Sequence, residues 1–237
     1  MDVVLIGYGR MGKTIESLAS ELNFRIVGVI DAQTEADERR RMLSLGEVAV
    51  EFSHPSSAFE NIVEAVEAGV PVVSGTTGWL DRFADLQGII EQHDGSFFYA
   101  SNFSIGVNLL FAINERLARL MNAFPEYDVT IEETHHIHKK DAPSGTAITL
   151  AEGIVEQLER KSSWDTEKVD PRLLRINSIR EGEVFGRHEI HYKSSIDSIW
   201  LGHDAHSRKG FATGAVLAAR WLMGRKGIYS MKDLLGL

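Results

Sequence analysis

The residues best suited to chemistry lie in one stretch, Glu133–Ala147, which reads ETHHIHKKDAPSGTA. Three histidines and two lysines fall within six consecutive positions, and a proline and a glycine then indicate a turn. Imidazole and ammonium groups at this density can bind a metal, a nucleic acid, a phosphate or a carboxylate, and a histidine can also transfer a proton near neutral pH. The rest of the chain decides among these chemistries.

A metal site and a nucleic-acid interface are both disfavoured by the sequence. His135, His136 and His138 are too close along an extended chain to converge easily on one ion, and the motifs HEIH and HDAH lack the i,i+4 spacing of a zinc-binding helix. The absence of cysteine excludes thiol ligands, and the net charge of -9 is opposite to that of a typical nucleic-acid or anionic-membrane binder. We therefore predict no metal, no nucleic-acid partner and no membrane partner.

A small anion is the remaining class of ligand. Ser144, Gly145 and Thr146 follow the turn and begin a predicted helix, whose first amides and dipole attract a carboxylate or a phosphate. Lys139 and Lys140 add positive charge nearby. The sequence therefore predicts an anion-binding loop with proton donors, although a solvated loop with a helix cap stays open as an alternative.

A dinucleotide-binding motif follows the first predicted strand. The apolar run Val3–Ile6 predicts this buried strand, and GYGRMG then leads into a predicted helix over Met11–Leu22. The G-x-G-x-x-G pattern permits a tight turn, close approach of a pyrophosphate and close packing of the helix on the strand. The predicted cofactor contacts in this turn are Gly7, Tyr8, Gly9, Arg10, Met11 and Gly12.

A carboxylate after the second predicted strand supports the same interpretation and bears on the choice of cofactor. The run Arg25–Ile30 ends in Asp31, whose carboxylate suits the hydroxyls of an adenosine ribose. Because Ala32 rather than an arginine follows, a 2′-phosphate would meet like charge there. The predicted cofactor is NADH or NADPH, with a slight preference for NADH. The arginines at 39–41 are interpreted as part of a solvated, charged helix.

Strands and helices alternate up to residue 100, which predicts a parallel sheet with helices on both faces. Ligands of such sheets bind beyond the carboxyl ends of the strands, so small polar residues there are candidate cofactor contacts. Two segments, GTTG and ASNF, supply the predicted contacts Gly75, Thr76, Thr77, Ala100, Ser101, Asn102 and Phe103. For GTTG, an ordinary strand-to-helix turn stays open as an alternative.

The second half of the chain has a different pattern. Its predicted elements are a helix over Ile105–Phe124, a strand over Tyr127–Thr134, a helix from about Thr146 to Arg160, and three alternating segments between Leu173 and His203. Turns at 181–182 and 194–195 separate these segments, which predicts an antiparallel or mixed sheet. The last apolar helix, Phe211–Met223, is predicted to pack on the first domain.

The predicted fold class is α/β with two domains. Residues 1–103 plus about 212–237 form a Rossmann-like parallel-sheet nucleotide domain, and residues 104–211 form an α+β mixed-sheet domain for substrate binding and oligomerisation. A dinucleotide-binding sheet joined to an anion-binding loop describes an oxidoreductase. The chain is 43% apolar, which is enough for an ordinary core, and it shows no signal-like or membrane-spanning stretch, so we expect a cytoplasmic location.

The stretch ETHHIHKKDAPSGTA closely resembles the signature of the 4-hydroxy-tetrahydrodipicolinate reductases, also called dihydrodipicolinate reductases. The likeness continues in GYGRMG, GTTG, ASNFSIGVN and RKGFATGAVLAARWL. The resemblance implies NAD(P)H-dependent reduction of 4-hydroxy-tetrahydrodipicolinate to tetrahydrodipicolinate in lysine and diaminopimelate biosynthesis. It further implies a homotetramer whose second domain binds the substrate and mediates tetramerisation.

The same resemblance implies roles for single residues. His135 is the implied catalytic proton donor or acceptor, and Lys139 is the implied second proton donor. The implied dicarboxylate site consists of His136, Ser144, Gly145 and Thr146. The chain departs from many members in its short segment between Asp31 and Val48. Two alternatives stay open: a related Rossmann reductase, such as an aspartate or homoserine dehydrogenase, and a dinucleotide sensor without catalysis.

Overall fold

The chain forms two compact units. A computed structural model describes all residues from 1 to 237, with Met1–Ile105 and Lys209–Leu237 in the first unit and Gly106–Arg208 in the second. None of the helices combines the length and apolar character needed to cross a bilayer.

Strands and helices account for most of the chain. The strands are β1 (Asp2–Ile6), β2 (Arg25–Ile30), β3 (Val48–Glu51), β4 (Val72–Ser74), β5 (Ser96–Tyr99), β6 (Asp128–His135), β7 (Ser163–Asp165), β8 (Leu173–Arg180), β9 (Arg187–Lys193), β10 (Ser198–Asp204) and β11 (Gly227–Tyr229). The helices are α1 (Arg10–Ser17), α2 (Ala36–Leu43), α3 (Pro55–Glu67), α4 (Phe83–Gln92), α5 (Ile105–Met121), α6 (Gly145–Val155), α7 (Lys209–Leu222) and α8 (Met231–Leu235). A short 3₁₀ helix, Leu80–Arg82, precedes α4.

The first unit contains a six-stranded parallel sheet in the order β11-β5-β4-β3-β1-β2. The central strands β1, β3 and β4 are buried on both faces, as their β-branched sequences predict. Val3 and Leu5 of β1 join a cluster with α1 and α7, whereas Val4 and Ile6 join a cluster with α3 and α4. Because β1 lies between β2 and β3, the strand order reverses between β1 and β3, and ligands of such sheets bind at this point.

The Rossmann-like parallel sheet predicted from the sequence is confirmed, with differences at the ends of elements. The first helix ends at Ser17 rather than at Leu22, since turns follow Leu18 and Asn23 adopts a positive φ of 51°. The sixth strand, β11, was not predicted because it has only three residues, which carry no readable alternation. It adds to the sheet beside β5.

The second unit contains a five-stranded mixed sheet in the order β10-β9-β6-β8-β7. Val129 and Ile131 of β6 pack with α5 and α6 on one face of this sheet. No helix of the unit contributes to a core on the other face, where Trp200 is 64% exposed. One face of the sheet is thus covered and one is open.

The strand pairing in this sheet corrects part of the predicted hairpin pattern. β9 and β10 do form an antiparallel hairpin around Ser194. In contrast, β8 and β9 flank the turn at 181–182 without pairing with each other, because β6 lies between them. β6 pairs parallel with β8 and antiparallel with β9, so the sheet is mixed as predicted.

Helix α7 belongs to the first unit, as predicted, and it is held there by a close backbone contact. A Cβ at Gly214 would lie 1.8 Å from the carbonyl oxygen of Phe103, a distance that no side chain tolerates. Gly210, in the same helix, has open space around the corresponding position.

These two glycines predict opposite responses to the same substitution. Gly214→Ala should lower the free energy of unfolding by about 1–3 kcal/mol, because α7 must move away from Phe103. Gly210→Ala should leave stability unchanged or raise it by up to about 1 kcal/mol. Urea unfolding followed by circular dichroism measures both, and equal midpoints for the two variants would contradict the contact.

Candidate active site

The glycine turn after β1 has the backbone features that a pyrophosphate site requires. Gly7 has a φ of +93°, and a Cβ there would lie 2.2 Å from the carbonyl oxygen of Phe52. A Cβ at Gly12 would lie 2.5 Å from the carbonyl oxygen of Gly7, so only glycine lets α1 pack this closely on the turn. Gly9, which precedes α1, has open space around it. The three glycines thus serve the turn, the packing and the approach of a ligand.

Two adjoining cavities lie beyond the carboxyl ends of the parallel strands. The first, of about 530 Å³, is lined by Ile6, Gly7, Tyr8, Gly9, Ile30, Asp31, Ala32, Arg39, Phe52, Ser53, His54, Ser57 and Asn61. The second, of about 440 Å³, is lined by Gly9, Arg10, Met11, Phe52, Ser53, Pro55, Gly75, Thr76 and Thr77. Both volumes lie within the range of small-molecule and cofactor sites, and the shared residues fit one elongated ligand such as a dinucleotide.

Asp31 borders the first cavity, and hydrogen bonds to its carboxylate favour the ionised form. Its Oδ1 accepts hydrogen bonds from the amide of Gln33 (2.9 Å) and the hydroxyl of Thr34 (3.1 Å). These bonds, led by that from Gln33, lower the pKa of the Asp31 carboxyl below its ordinary value. Oδ1 is therefore occupied, whereas Oδ2 is available to accept bonds from a ribose.

The arginines at 39–41 do not behave as one solvated group, which corrects the interpretation from the sequence. Arg40 and Arg41 form exposed ion pairs with acidic residues of their own helix, as expected. Arg39 instead lines the first cavity, where its guanidinium contacts Glu64 (2.5 Å) and Asn61 (2.7 Å). Its positive charge is partly compensated by Glu64.

A buried carboxylate, missed from the sequence, holds two of the predicted cofactor loops. Glu51 ends β3 with no exposed surface, and it accepts hydrogen bonds from the amide of Ser53 (2.9 Å), the hydroxyl of Ser74 (2.6 Å) and the hydroxyl of Thr76 (2.9 Å). The signal for it was the single charge in the otherwise apolar run VAVEF. Glu51 thereby fixes the loop after β3 to the GTT loop after β4.

The ASNF segment differs from the other predicted cofactor contacts. Ala100 and Phe103 are buried in the core, where the Phe103 ring packs against Phe98 with centroids 5.9 Å apart. Ser101 is exposed, and the Asn102 side chain accepts a hydrogen bond from the amide of Ser104. Neither cavity is lined by these four residues, so their contact with a cofactor stays a prediction.

In the second unit, strand alternation places the first histidine of the chemical stretch beside a buried carboxylate. Glu133 and His135 share the covered face of β6, and Nδ1 of His135 bonds to Oε2 of Glu133. The other oxygen of Glu133 forms an ion pair with Nη1 of Arg180 at 3.0 Å. Burial alone would raise the pKa of the Glu133 carboxyl, but contacts with His135, Ser178 and Arg180 lower it to about 2. Glu133 is therefore ionised at neutral pH.

A second buried histidine, also missed from the sequence, connects this pair to the start of α6. His188 lies opposite Glu133 in the β6–β9 register, and its ring is 5.1 Å from that of His135. Its Nε2 is 3.0 Å from the hydroxyl of Ser144. Burial lowers the pKa of His188 to about 3, so the ring is neutral. Strand pairing, which spacing alone does not reveal, brings these residues together.

Ser144 caps α6, and Gly145 directly after it has open space around its Cβ position. Its buried hydroxyl accepts a hydrogen bond from the amide of Ala147 (3.2 Å), so it is shared between this cap and His188. Gly145 is exposed with nothing near its Cβ position, and Thr146 is half-buried. The first amides of a helix lack partners within the helix and attract anions.

The remaining side chains of the stretch differ in their contacts and in their exposure to solvent. The Lys139 ammonium contacts both carboxylate oxygens of Asp141, at 2.9 and 2.7 Å, and His136 is half-buried. His138 is exposed and lies 3.4 Å from Glu183. In the first unit, His54 caps α3, since its Nδ1 accepts a bond from the amide of Ser56.

The structure assembles a possible metal-ligand set that the spacing argument did not foresee. One ligand atom each from Glu133, His135 and His188 lie within 4.8 Å of one another. However, the Arg180 guanidinium already contacts the carboxylate, and a cation bound there would meet its positive charge. The absence of a metal therefore stays a prediction.

Comparison with known proteins places the chain in a family. Residues 1–103 match the family described as dihydrodipicolinate reductase, N-terminus, and residues 106–235 match dihydrodipicolinate reductase, C-terminus. The chain belongs to the dihydrodipicolinate reductase family. Members of this family are dinucleotide-dependent reductases of lysine biosynthesis.

Individual relatives agree with membership of the dihydrodipicolinate reductase family. The 4-hydroxy-tetrahydrodipicolinate reductase of Christiangramia forsetii is 46% identical over 235 residues, which cover 99% of this chain and 98% of the relative. That of Alkaliphilus oremlandii is 34% identical and covers 100% of this chain and 99% of the relative. The structure of dipicolinate-bound dihydrodipicolinate reductase from Paenisporosarcina sp. TG-14 has a TM-score of 0.78 at 22% identity, covers 98% of both chains and supports the fold.

The neutral state of His188 predicts a specific dependence of stability on pH. Its folded pKa of about 3 lies below the ordinary value of 6.5, so the unfolded chain binds one more proton between these pH values and stability falls as the pH drops through that window. His188→Gln should reduce this loss by about 1 kcal/mol per pH unit between about pH 6 and pH 5.

Urea unfolding of the wild type and of His188→Gln at several pH values measures the two slopes. His138→Gln is the matched control, because it removes an exposed histidine from the same region. Identical slopes for the wild type and His188→Gln would show that His188 does not bind an additional proton on unfolding.

Proposed function

We propose that this protein catalyses the NAD(P)H-dependent reduction of 4-hydroxy-tetrahydrodipicolinate to tetrahydrodipicolinate in lysine and diaminopimelate biosynthesis. The observation that carries the proposal is the ionised Glu133 bonded to His135, on a strand that leads into the Lys139 loop and the anion-binding start of α6. This group provides a proton source next to sites for negative charge. A dinucleotide sensor would need no such proton source, which disfavours that alternative.

The residues of the first unit suit the parts of a dinucleotide. The open turn at Gly9 and the N-terminus of α1 would hold the pyrophosphate, and Asp31 would accept hydrogen bonds from the adenosine ribose. Thr76 and Thr77 border the second cavity at the other end. When bound, the nicotinamide supplies the hydride.

The residues of the second unit would orient the substrate and move the proton. The amides at Gly145 and Thr146, with the Ser144 cap and the imidazole of His136, would hold the two carboxylates of the substrate. His135 would donate or accept the proton at Nε2, because Nδ1 is bonded to Glu133. Lys139, held by Asp141, would act as the second proton donor.

NADH is the proposed preferred cofactor. A 2′-phosphate in the first cavity would face the ionised Asp31, and Ala32 supplies no compensating charge. Arg39 borders the same cavity but is engaged by Glu64 and Asn61.

We propose that the cofactor and the substrate bind to different domains. The cofactor domain consists of residues 1–103 plus about 212–237, and residues 104–211 form the domain for the substrate and tetramerisation. The cytoplasm stays the predicted location.

A coupled assay with enzymatically generated 4-hydroxy-tetrahydrodipicolinate tests the activity and the cofactor preference. We expect oxidation of both NADH and NADPH, with the higher kcat/KM for NADH. His135→Ala and Lys139→Ala should each lower kcat by about 10²- to 10⁴-fold, while the Kd for NADH stays within about twofold. His138→Ala, which removes an exposed histidine of the same loop, is the control. Absence of turnover with either cofactor would refute the proposed function.

A homotetramer is the proposed assembly, formed through the open face of the second sheet. On this face Arg175, Thr130, His191 and Trp200 form one row across four strands, and the Trp200 ring is largely exposed. An exposed tryptophan on the uncovered face of a sheet is typical of a contact surface. Closed symmetry would pair this face with copies of itself.

If the tetramer forms through this face, a charge at Trp200 should lower the mass of the assembly in solution. Trp200→Glu should shift the tetramer to smaller species in sedimentation-velocity experiments, because it places a charge in the contact surface. Val169→Glu alters an equally apolar, 88% exposed residue outside the strands and should leave the tetramer intact. A monomeric wild type, or equal masses for both variants, would contradict the proposed surface.

A further inference from the structure

Glu133 is an unusual residue to bury at the covered face of a sheet. Its side chain has no exposed surface, and removing a carboxylate from water costs several kcal/mol unless cationic or hydrogen-bonding groups compensate. The neighbouring positions on the same face of β6, Val129 and Ile131, show that an apolar side chain would satisfy the core. The carboxylate therefore has a use other than packing.

Glu133 is the centre of a chain of contacts that joins the two proposed proton-carrying residues. Its Oε2 bonds to His135, and its Oε1 contacts Nη1 of Arg180. The Arg180 guanidinium also donates through Nη2 to the carbonyl of Asp141 (2.6 Å), and the Asp141 carboxylate holds Lys139. The path thus runs from His135 through Glu133, Arg180 and Asp141 to Lys139.

We infer that Glu133 and Arg180 are positioning residues for the proposed reductase reaction, which fix the tautomer and orientation of His135 and tie its strand to the Lys139 loop. With Nδ1–H donated to Glu133, Nε2 is the nitrogen that exchanges a proton with the substrate. Protonated His135 loses the Nε2 proton to the substrate and stays neutral with Nδ1–H until solvent returns a proton. The inference rests on the proposed function for its kinetic part only.

The surroundings of His135 support an orienting role for Glu133. The charged and titratable groups that face the imidazole are Glu133 on β6, Arg180 on β8, His188 on β9 with His203 beyond it on β10, and Lys139 from the loop. Glu133 is the only anion in this set. It is therefore the acceptor that orients Nδ1–H of the ring.

Glu133→Gln is the decisive variant, because it keeps the shape of the side chain and removes its charge. We expect kcat to fall by about 10- to 10³-fold with KM and the Kd for NADH within about twofold. Glu133→Asp, which retains the charge, should recover part of the activity. Arg180→Met should lower kcat in the same direction, and Glu183→Gln, which alters an exposed glutamate, should match the wild type.

The tautomer of His135 provides a readout that needs no turnover. In ¹⁵N-labelled protein we expect the Nδ1–H form at His135 in the wild type and a mixture of tautomers in Glu133→Gln, with circular dichroism confirming that both are folded. An inactive wild type would defeat the proposed function while this measurement still tested the contact. The inference would be overturned if Glu133→Gln left both kcat and the His135 tautomer unchanged. It would also be overturned if the wild type bound one Zn²⁺ at Glu133 and needed this ion for activity.

Discussion

The candidate site of the second unit depends on one electrostatic constraint, the need to keep the fully buried carboxylate of Glu133 ionised. Glu133 meets it through two cationic or donor groups from different places in the chain, His135 two positions later and Arg180 on the neighbouring strand. Burial raises the pKa of the Glu133 carboxyl, and the contacts with His135, Ser178 and Arg180 together outweigh it and lower the pKa. The β6 alternation, the parallel pairing with β8 and the position of the Lys139 loop bring these partners together.

The first unit also contains a buried acidic side chain that holds loops in place, but its partners are of a different kind. Glu51 is also fully buried at the carboxyl end of a strand, but hydroxyl and amide donors rather than cations surround it. Both carboxylates fix loops that carry candidate ligand contacts, Ser53 and Thr76 in one unit and the Lys139 loop in the other. Hydrogen bonds and ion pairs to a buried acidic side chain thus position loops in both units.

The features that the sequence could predict are those encoded locally. GYGRMG, its helix and Asp31 follow from spacing within about 30 residues, and the periods of the apolar residues predict both kinds of sheet. Partners supplied by strand register could not be predicted. Arg180 reaches Glu133 only because β6 pairs parallel with β8, and His188 lies opposite Glu133 only because β9 pairs on the other side. Arg39 was misinterpreted because its helix is charged, whereas its position relative to the first cavity depends on how that helix packs on the sheet.

The pairing of β6 with β8 also joins charged groups that are far apart along the chain. The contact of Glu133 with His135 spans two positions of the chain, whereas the bond of Arg180 to Asp141 spans 39. Contacts between distant segments form later, since a long loop must close first. Without β8, Glu133 lacks the guanidinium of Arg180, which favours the protonated carboxyl. Pairing of β8 with β6 and ionisation of Glu133 therefore stabilise one another.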